Sequence, residues 1–586
     1  MLPSVSHYVR AASLAEIQAA GCLPVQLDGH SVALYFHNGQ LSAVDNRCPH
    51  MGFPLHRGTV RDGVLTCHWH HARFDLSSGG TFDQWADDVR VYPVEIRGND
   101  VCVDLAPYGD PLAHERIRLR DGLERNISLV MAKSVIRLLH GGMDAAEPFR
   151  IGLDFGTRYR QAGWGQGLTI HTCMMNMLPR LEPEDRLRAL YHGMAAVAAN
   201  SADAPPRFMV HPLPGSAADL ATIKRWFRQF VEVRDGEGAE RCIVSAVRGG
   251  ADARQMADML FAAATDHRYI QIGHVLDFTN KAFEALDHTG WESAEPVLAS
   301  LATSYANADR MEESNAWRHP IDLVSILERV FEKLPSALAQ GEARRGSPVE
   351  WDLLVPVLLG EDPQAIAEAL VGGVAQGASP EELAGVVAYA AALRIAQFHT
   401  SNQFGDWDTA LHTYTFANAV QLGLRRTGST ELLRGVFDAA MSVYLDRFLN
   451  VPAAPLPESD GGMKNPEALL RELPALLDRQ QQVSEAGALV SQYLSGGGSV
   501  DRMLAALGHV LLREDRDFHT IQAMETSFRQ CSLLSDSRRR VHVLIAGARY
   551  LAAHAPTVRS QEQTFQIARR LSRGERLFEE SSTQTV

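Results

Sequence analysis

The sequence predicts a multidomain protein in which a small all-β domain is followed by a large all-α domain of helical repeats. Residues 1–107 contain short runs of alternating polar and apolar residues separated by turn dipeptides, a pattern typical of strands. Beyond them, Ala, Leu, Arg and Glu recur at helical spacing, and we find no convincing cluster of strands. We therefore predict domains at residues 1–107, 108–345 and 346–586, with a linker at "APYGDPLAHER" and breaks at "GEARRGSP" (341–348) and "PAAPLPESDGG" (452–462).

Composition limits the classes of function. The chain has 586 residues, a formal net charge of -14 and no basic run, which argues against nucleic acid as a partner. Without a long apolar stretch, and without a signal peptide in "MLPSVSHYVR", we expect a cytoplasmic protein that does not bind a membrane; a homo-oligomer stays open. Five of the seven cysteines are scattered and expected to be buried free thiols: Cys22, Cys102, Cys173, Cys242 and Cys531.

The elements of the first domain follow from its turn signals. In "LPVQLDGHSVALYFHNGQLSAVDNR", an Asp-Gly and an Asn-Gly pair separate three predicted strands. The segment "VRDGVLT" predicts another hairpin, and "VRVYPVEIRGNDVCVDL" predicts strands that turn at Gly98-Asn99. Hairpin tips of this kind can hold two ligand loops against each other, with Gly52 allowing the first loop to turn tightly.

Two cysteines and five histidines lie within the thirty residues from Asn46 to Asp75. Cys48-x-His50 and Cys67-x-x-His70 each offer one thiolate and one imidazole. A tetrahedral zinc site could use this set, although such sites usually begin with two nearby cysteines. A [2Fe–2S] cluster in which one iron takes two thiolates and the other takes two imidazoles fits the spacing better. Cys48 and Cys67 would then hold one iron, and His50 and His70 the other.

On "CPHMG" and "CHWHHARFDLSSG", residues 1–107 resemble a Rieske domain. Phe53 and His68 occupy the places where the respiratory type has extra cysteines, so the domain is similar to the oxygenase and ferredoxin type. The remaining histidines of the segment, His56, His68 and His71, are interpreted as loop or surface residues.

The helical region contains a repeat that ends in histidine. Segments 249–278, 376–401 and 496–521 each begin with Gly and a capping residue, continue as an amphipathic helix, and reach His274, His399 or His519. A His-Thr pair also begins the segments "HTCMMNML" at His171, "HTYTFANAV" at His412 and "HTIQAMETS" at His519.

Helical bundles build iron sites from inward-facing side chains, and imidazole is a suitable iron ligand. We therefore predict a mononuclear Fe(II) site in the helical region, although any single histidine in a helical core is more often structural. At most four of five candidates are expected to bind the metal: His171, His274, His399, His412 and His519. Second-rank candidates are His192, His211, His319 and His509.

The helix that follows His274 contains two further candidates, Lys281 and Asp277. A Lys in an apolar helix has a lowered pKa when it is buried, and a neutral Lys281 could act as a base or take up CO2 and bind metal as a carboxylate. The alternative, which we favour, is an ion pair of Lys281 with Asp277 or Glu284.

On "GLTIHTCMMNML" and "YIQIGHVLDFTNKAFEAL", the helical region distantly resembles the questin oxidase and anthraquinone ring-opening dioxygenase family. The histidine doublets of that family are not reproduced here. The resemblance implies a histidine-ligated non-haem iron and an aromatic or quinone-like polyketide substrate.

These observations predict an oxygenase. A reductase or ferredoxin partner would reduce the cluster, and the electron would pass to the histidine-bound iron, where O2 oxidises a small organic substrate. One rival is an electron-transfer or redox-sensing protein whose helical repeat is a binding platform. The other is an oxidoreductase with a di-metal carboxylate site, which the absence of paired Glu-x-x-His motifs weakens.

Overall fold

The computed structural model describes residues 7–106, 110–214, 219–457, 465–575 and 577. These residues form two compact units, one of Met1–Ile151 with Gln561–Val586 and one of Gly152–Ser560. A small β domain is followed by a large helical region, as predicted. The predicted boundary at residue 107 and part of the predicted break at 452–462 lie outside the described residues.

Two-residue turns fold the first unit into antiparallel strands. The pairs Asp28-Gly29, Asn38-Gly39 and Asp62-Gly63 all have positive φ, as the favoured hairpin turns require. They join β2 to β3, β3 to β4 and β5 to β6, and the three sheets have the orders β1-β10-β9, β2-β3-β4-β8 and β5-β6-β7. The strands are β1 (Tyr8–Ser13), β2 (Cys22–Leu27), β3 (His30–His37), β4 (Gln40–Asp45), β5 (Thr59–Arg61), β6 (Val64–Thr66), β7 (Arg73–Asp75), β8 (Val91–Tyr92), β9 (Val94–Arg97) and β10 (Asp100–Asp104).

Helices complete the first unit, which is why it extends beyond the predicted domain. A short helix, α1 (Leu14–Ala20), lies among the strands, and α2 (Pro111–Glu124) and α3 (Ser128–His140) follow them. Arg118 of α2 donates to the Ala86 carbonyl over 2.8 Å. Near the chain end, α25 (Ser560–Ser572) is followed by Glu575, whose carbonyl accepts from Arg47 over 2.8 Å. Contacts between such distant parts of the chain have no local sequence signal.

The second unit is helical, and the described residues from 110 onward contain no strand. The helix α4 (Ala146–Arg158) spans the division between the units, and the predicted boundary at residues 345 and 346 falls in a connection between helices. The other helices are α5 (Gln166–Met177), α6 (Pro183–Ser201), α7 (Leu220–Glu232), α8 (Gly236–Arg248), α9 (Ala253–Ala264), α10 (His274–Thr289), α11 (Ala294–Ala299), α12 (Ala302–Asn307), α13 (Asn315–Arg318), α14 (Leu323–Gly341), α15 (Trp351–Leu358), α16 (Pro363–Ala375), α17 (Pro380–Ala396), α18 (Phe404–Thr427), α19 (Leu433–Leu445), α20 (Pro466–Leu477), α21 (Val483–Ser495), α22 (Val500–Leu512), α23 (Phe518–Leu533) and α24 (Ser537–Ala553).

The core of the second unit is assembled from long buried helices. In α18, an almost unbroken run from Ala410 to Leu424 is buried, so this helix is surrounded by others. It packs against α10, α17, α19 and α23. None of the helices in the described part of the chain is long and apolar enough to span a membrane.

Candidate metal centres

The two ligand loops of the first unit have matching backbone geometry. The Cys48 amide donates to the carbonyl five residues later, Phe53, and its own carbonyl accepts from the Gly52 amide, both over 2.8 Å. In the second loop the Cys67 amide donates to Ala72 over 2.8 Å, and its carbonyl accepts from the His71 amide over 3.0 Å. The fourth residue after each cysteine is left-handed, with φ of 84° at Gly52 and 64° at His71. Each loop therefore turns back and presents its cysteine and histidine on one side.

The four predicted cluster ligands come together. Cys48 and Cys67 are buried, and the rings of His50 and His70 lie 4.9 Å apart at 84°. The two sulfurs share a hydrogen bond, which lowers the pKa of Cys67 to about 6 and raises that of Cys48. His70 is exposed at the surface of its unit, where an electron partner could reach it.

The donor set fits a [2Fe–2S] cluster. The Nδ1 atom of His50 is buried and has no hydrogen-bond partner among the described residues, which leaves this nitrogen available to a metal. Burial, His70 and Lys133 lower the pKa of His50 to about 4, so its ring is neutral at pH 7. Trp85 packs on His50 with ring centroids 4.6 Å apart. His56 is instead bound to Asn46 Oδ1 through its own Nδ1 over 3.0 Å.

Three of the five histidines predicted for the second site form a cluster in the helical unit. One ring nitrogen from each of His274, His412 and His519 lies within 4.8 Å of the others. The Nε2 atoms of His274 and His412 are 3.1 Å apart. Ring centroids are separated by 4.7 Å for His274 and His412, 4.8 Å for His412 and His519, and 5.9 Å for His274 and His519. We call these three residues the histidine triad.

Three packed helices place the triad. His274 is the first residue of α10 and His519 the second of α23, whereas His412 lies inside α18. Asp517 caps α23 by accepting from the Thr520 amide, which fixes the helix start beside His519. The first and third repeat segments thus each supply a triad histidine at the start of a helix.

A left-handed segment leads into His274. Tyr269, Gln271 and Ile272 have φ of 42°, 51° and 46°, and Gly273 has 94°. Such a conformation is costly for Ile in particular, and residues of this kind cluster at functional sites. The Gln271 amide donates to the Asp309 carbonyl over 2.7 Å, so packing outside the segment maintains it.

Two of the triad histidines, His274 and His412, are neutral nitrogen donors. Burial and the neighbouring imidazoles lower the pKa of His274 to about 3 and that of His412 to about 4. The Nε2 atom of His519 is buried without a hydrogen-bond partner among the described residues. Three imidazoles converging on one point fit a divalent transition metal such as iron, zinc or copper.

Asp408 supports the triad and was missed by the sequence reasoning. Its Oδ1 lies 3.5 Å from Nδ1 of His519 and accepts from the Tyr550 hydroxyl over 3.1 Å. Burial opposes its ionisation, but the interactions with His519 and Tyr550 outweigh burial and lower the pKa of Asp408. The available signal is its position four residues, or about one helical turn, before His412.

The other predicted histidines lie elsewhere. His171 is buried on α5, where its ring faces Gly152 and Gly193, and His399 lies in the turn after α17. Neither belongs to the triad, and metal binding by His171 or His399 stays a prediction. The second-rank candidates are also outside the triad: His192, His211, His319 and His509.

A neutral Lys281 is not supported. Its Nζ donates to Glu284 Oε2 over 2.8 Å and to Glu525 Oε2 over 2.7 Å. Burial alone would lower the pKa of Lys281, but these carboxylates outweigh it and hold the pKa well above its ordinary value. The favoured ion pair with Glu284 is present, and Asp277 instead accepts from the side-chain amide of Gln522. A catalytic role for Asp277 remains a prediction.

Comparison with known proteins concerns the first domain. The family model described as the Rieske [2Fe-2S] domain matches residues 7–93. The ferredoxin component of the naphthalene 1,2-dioxygenase system of Pseudomonas aeruginosa is 31% identical over 100 residues, which are 17% of this chain and 96% of the relative. The biphenyl dioxygenase ferredoxin subunit of Pseudomonas sp. (strain KKS102) is 30% identical over 101 residues, 17% of this chain and 93% of the relative.

Among solved structures, the match also covers only about a sixth of this chain. The ferredoxin of carbazole 1,9a-dioxygenase from Nocardioides aromaticivorans IC177 is 25% identical, covers 16% of this chain and 95% of its own, and has a TM-score of 0.16.

Proposed function

The chain belongs to the Rieske [2Fe-2S] domain family through residues 7–93, and from this premise we propose that it is an oxygenase with a second metal at the histidine triad. The first domain is homologous to ferredoxin components of dioxygenase systems, which supports a role in electron transfer. We propose that a separate reductase or ferredoxin supplies electrons to this domain. The helical unit would use them, with O2, to oxidise an organic substrate.

The observation that carries the proposal is the convergence of His274, His412 and His519. When bound, the cluster supplies single-electron transfer and a triad iron supplies oxygen activation. Zinc would also fit three imidazoles, but zinc has no redox chemistry and gives a Rieske domain no electron acceptor. The redox partner within the same chain therefore favours iron.

The chain's own residues have distinct parts in this proposal. Cys48 and Cys67 would bind one cluster iron as thiolates, and His50 and His70 the other as neutral imidazoles. In the helical unit, the low pKa values of His274 and His412 keep both lone pairs available at pH 7. Asp408 would hold the His519 ring with its Nδ1 proton toward the carboxylate and Nε2 toward the metal.

The iron content of the full-length protein tests the proposal. We expect about three irons per chain after anaerobic loading, two in the cluster and one at the triad. His274→Ala should reduce the content to about two irons and leave the Rieske electron paramagnetic resonance signal unchanged, because the cluster ligands are untouched. His399→Ala is the matched control, since His399 lies outside the triad and should not change the iron content.

A rival function is electron transfer alone, as in the ferredoxin relatives. It predicts about two irons in the wild-type protein, the same content in His274→Ala, and no substrate-dependent oxygen uptake with a reductase. About two irons in the wild-type protein, or an iron content that His274→Ala leaves unchanged, would contradict the proposed second metal.

A further inference from the structure

A cavity of about 590 Å³ lies in the helical unit and shares His412 with the triad. Its volume is in the range of small-molecule sites, which are concave and mostly apolar with a few polar groups. The surface of the cavity is mostly apolar, and the residues that line it include Tyr269, Trp317, His412, Tyr444, Asp446 and Arg447.

Flat rings form much of the wall. Tyr269 and Trp317 have ring centroids 6.0 Å apart and nearly parallel planes, at 24°. The Arg447 guanidinium lies 3.8 Å from the Tyr444 ring centroid and 3.9 Å from that of Phe448, so it is stacked between two rings. Planar surfaces of this kind favour a flat, apolar ligand over a branched or strongly hydrated one.

Asp446 is an acidic residue in the lining of this cavity. Its side chain is almost fully buried, with 3% of the residue exposed, and Oδ2 has no hydrogen-bond partner among the described residues. A buried oxygen without a partner is costly, and native structures rarely leave one without a reason. Burial raises the pKa of Asp446 to about 7, against the smaller opposing effects of Thr413 and Arg394.

We infer that this cavity binds a flat, uncharged apolar molecule whose hydroxyl group donates a hydrogen bond to Oδ2 of Asp446. Calling that molecule the substrate rests on the proposed function, because His412 would then place it next to the metal. The hydrogen bond itself does not depend on a metal.

Charge argues for a neutral ligand. An anion would meet the carboxyl group of Asp446, and a cation would meet Arg447, so either charge finds one unfavourable neighbour in the same cavity. A hydroxyl can donate to Asp446 whether the carboxyl group is neutral or ionised. Sites that hydrogen-bond a ligand hydroxyl discriminate strongly against the analogue that lacks it, because the buried polar group is then left unpaired.

The test compares three probes of equal ring size, 2-hydroxyfluorene, fluorene and fluorene-2-carboxylate, by fluorescence titration of the full-length protein. We expect 2-hydroxyfluorene to bind at least tenfold more tightly than fluorene. In Asp446→Leu, this preference should fall to about twofold or less, because the acceptor is gone while an apolar surface remains. Asp446→Asn keeps an acceptor oxygen of the same shape and should retain most of the preference.

The ratio of the Kd values for the probes distinguishes lost recognition of the hydroxyl group from a damaged fold, since a misfolded variant loses affinity for all three probes. Equal binding of 2-hydroxyfluorene and fluorene by the wild-type protein, or an unchanged ratio in a folded Asp446→Leu variant, would overturn the inference. Tighter binding of the carboxylate would also overturn it and assign recognition to Arg447. Selective binding in a protein that holds no triad iron would support the inference while the proposed oxygenase function fails.

Discussion

At the level of single residues, the triad depends on a carboxylate that does not belong to it. An imidazole has two nitrogens, and a metal ligand must present an unprotonated one. Asp408 Oδ1 lies 3.5 Å from Nδ1 of His519, so in the proposed metal site an Nδ1 proton would face this carboxylate and Nε2 would face the metal. Tyr550 donates to the same carboxylate oxygen and holds it in place. In the proposed metal site, a residue that is not itself a ligand would therefore select the tautomer of His519.

Asp408→Asn should weaken metal binding at the triad by about 10- to 100-fold, which is the usual cost of losing such a partner. An amide can turn its NH2 toward His519, which would favour the wrong tautomer. The measurement is a titration of the full-length protein with Co(II), with the Rieske cluster already in place. Asp406→Asn is the matched control: Asp406 lies on the same helix and accepts from the Gln403 amide over 2.9 Å. An equal loss of affinity in both variants would contradict the role of Asp408.

At the level of elements, α10 and α23 are held in register by polar pairs behind the ligands. Gln522 donates to Asp277, and each of these residues lies three positions after a triad histidine on its own helix. One turn further along each helix, Nζ of Lys281 donates to Oε2 of Glu525 over 2.7 Å. Both pairs are buried, so a shift between the helices would break the Gln522–Asp277 hydrogen bond and separate the charges of Lys281 and Glu525, at a cost of several kcal/mol. Lys281 therefore stabilises the site as a cation.

The start of α10 is fixed by a glycine that other residues cannot replace. Gly273 has φ of 94°, and a Cβ there would lie 2.9 Å from Cβ of Phe416 and 3.2 Å from the Tyr269 ring. Either the backbone or α18 must move to accept it, and both carry a triad ligand. The position of His274 is therefore sensitive to a change that touches no ligand.

We expect Gly273→Ala to raise the Kd for Co(II) at the triad at least tenfold, because displacements well below 1 Å already disturb a preorganised ligand set. Gly428→Ala provides the control, since Gly428 ends α18 with φ of 62° and has open space around its Cα. It should cost about 1 kcal/mol of unfolding free energy through its backbone conformation and leave metal binding unchanged. Wild-type affinity in a folded Gly273→Ala variant would show that the segment does not position His274.

The part of the site that sequence could predict was the local part. Cys48, His50, Cys67 and His70 are close in the chain and lie in loops between predicted strands, so their spacing alone places them. The three triad histidines come from three helices. The repeat identifies His274 and His519, because both lie at the start of a helix.

The repeat could not predict which residues are buried in the folded protein. Helix α17 ends three residues before His399, so His399 lies in a turn. His412, on the next helix, belongs to the triad instead. Asp446 was missed for the same reason. Beside Arg447 it resembles a surface residue, and only tertiary packing shows that it is buried.

At the level of the whole molecule, buried carboxyl groups make the stability of the helical unit depend on pH. Burial raises the pKa of Asp277, Asp438 and Asp446 to about 7 each, whereas an unfolded Asp titrates near 3.9. Between these values the unfolded chain has released protons that the folded unit still holds, so each group lowers stability as pH rises. Below about 4 both states are protonated, and the penalty is absent.

Asp446→Asn isolates one of these groups. We expect the wild-type protein to lose stability relative to the variant by up to about 1.4 kcal/mol for each pH unit between about 4 and about 7, and the difference to level off above that range. Urea unfolding followed by far-ultraviolet circular dichroism measures it, because the helices of the second unit dominate that signal. Ser491→Ala serves as control, since its hydroxyl donates to the Pro457 carbonyl and does not titrate. A difference between wild type and Asp446→Asn that is constant across this range would show that Asp446 is ionised in the folded protein, and its hydroxyl ligand would then meet a full negative charge.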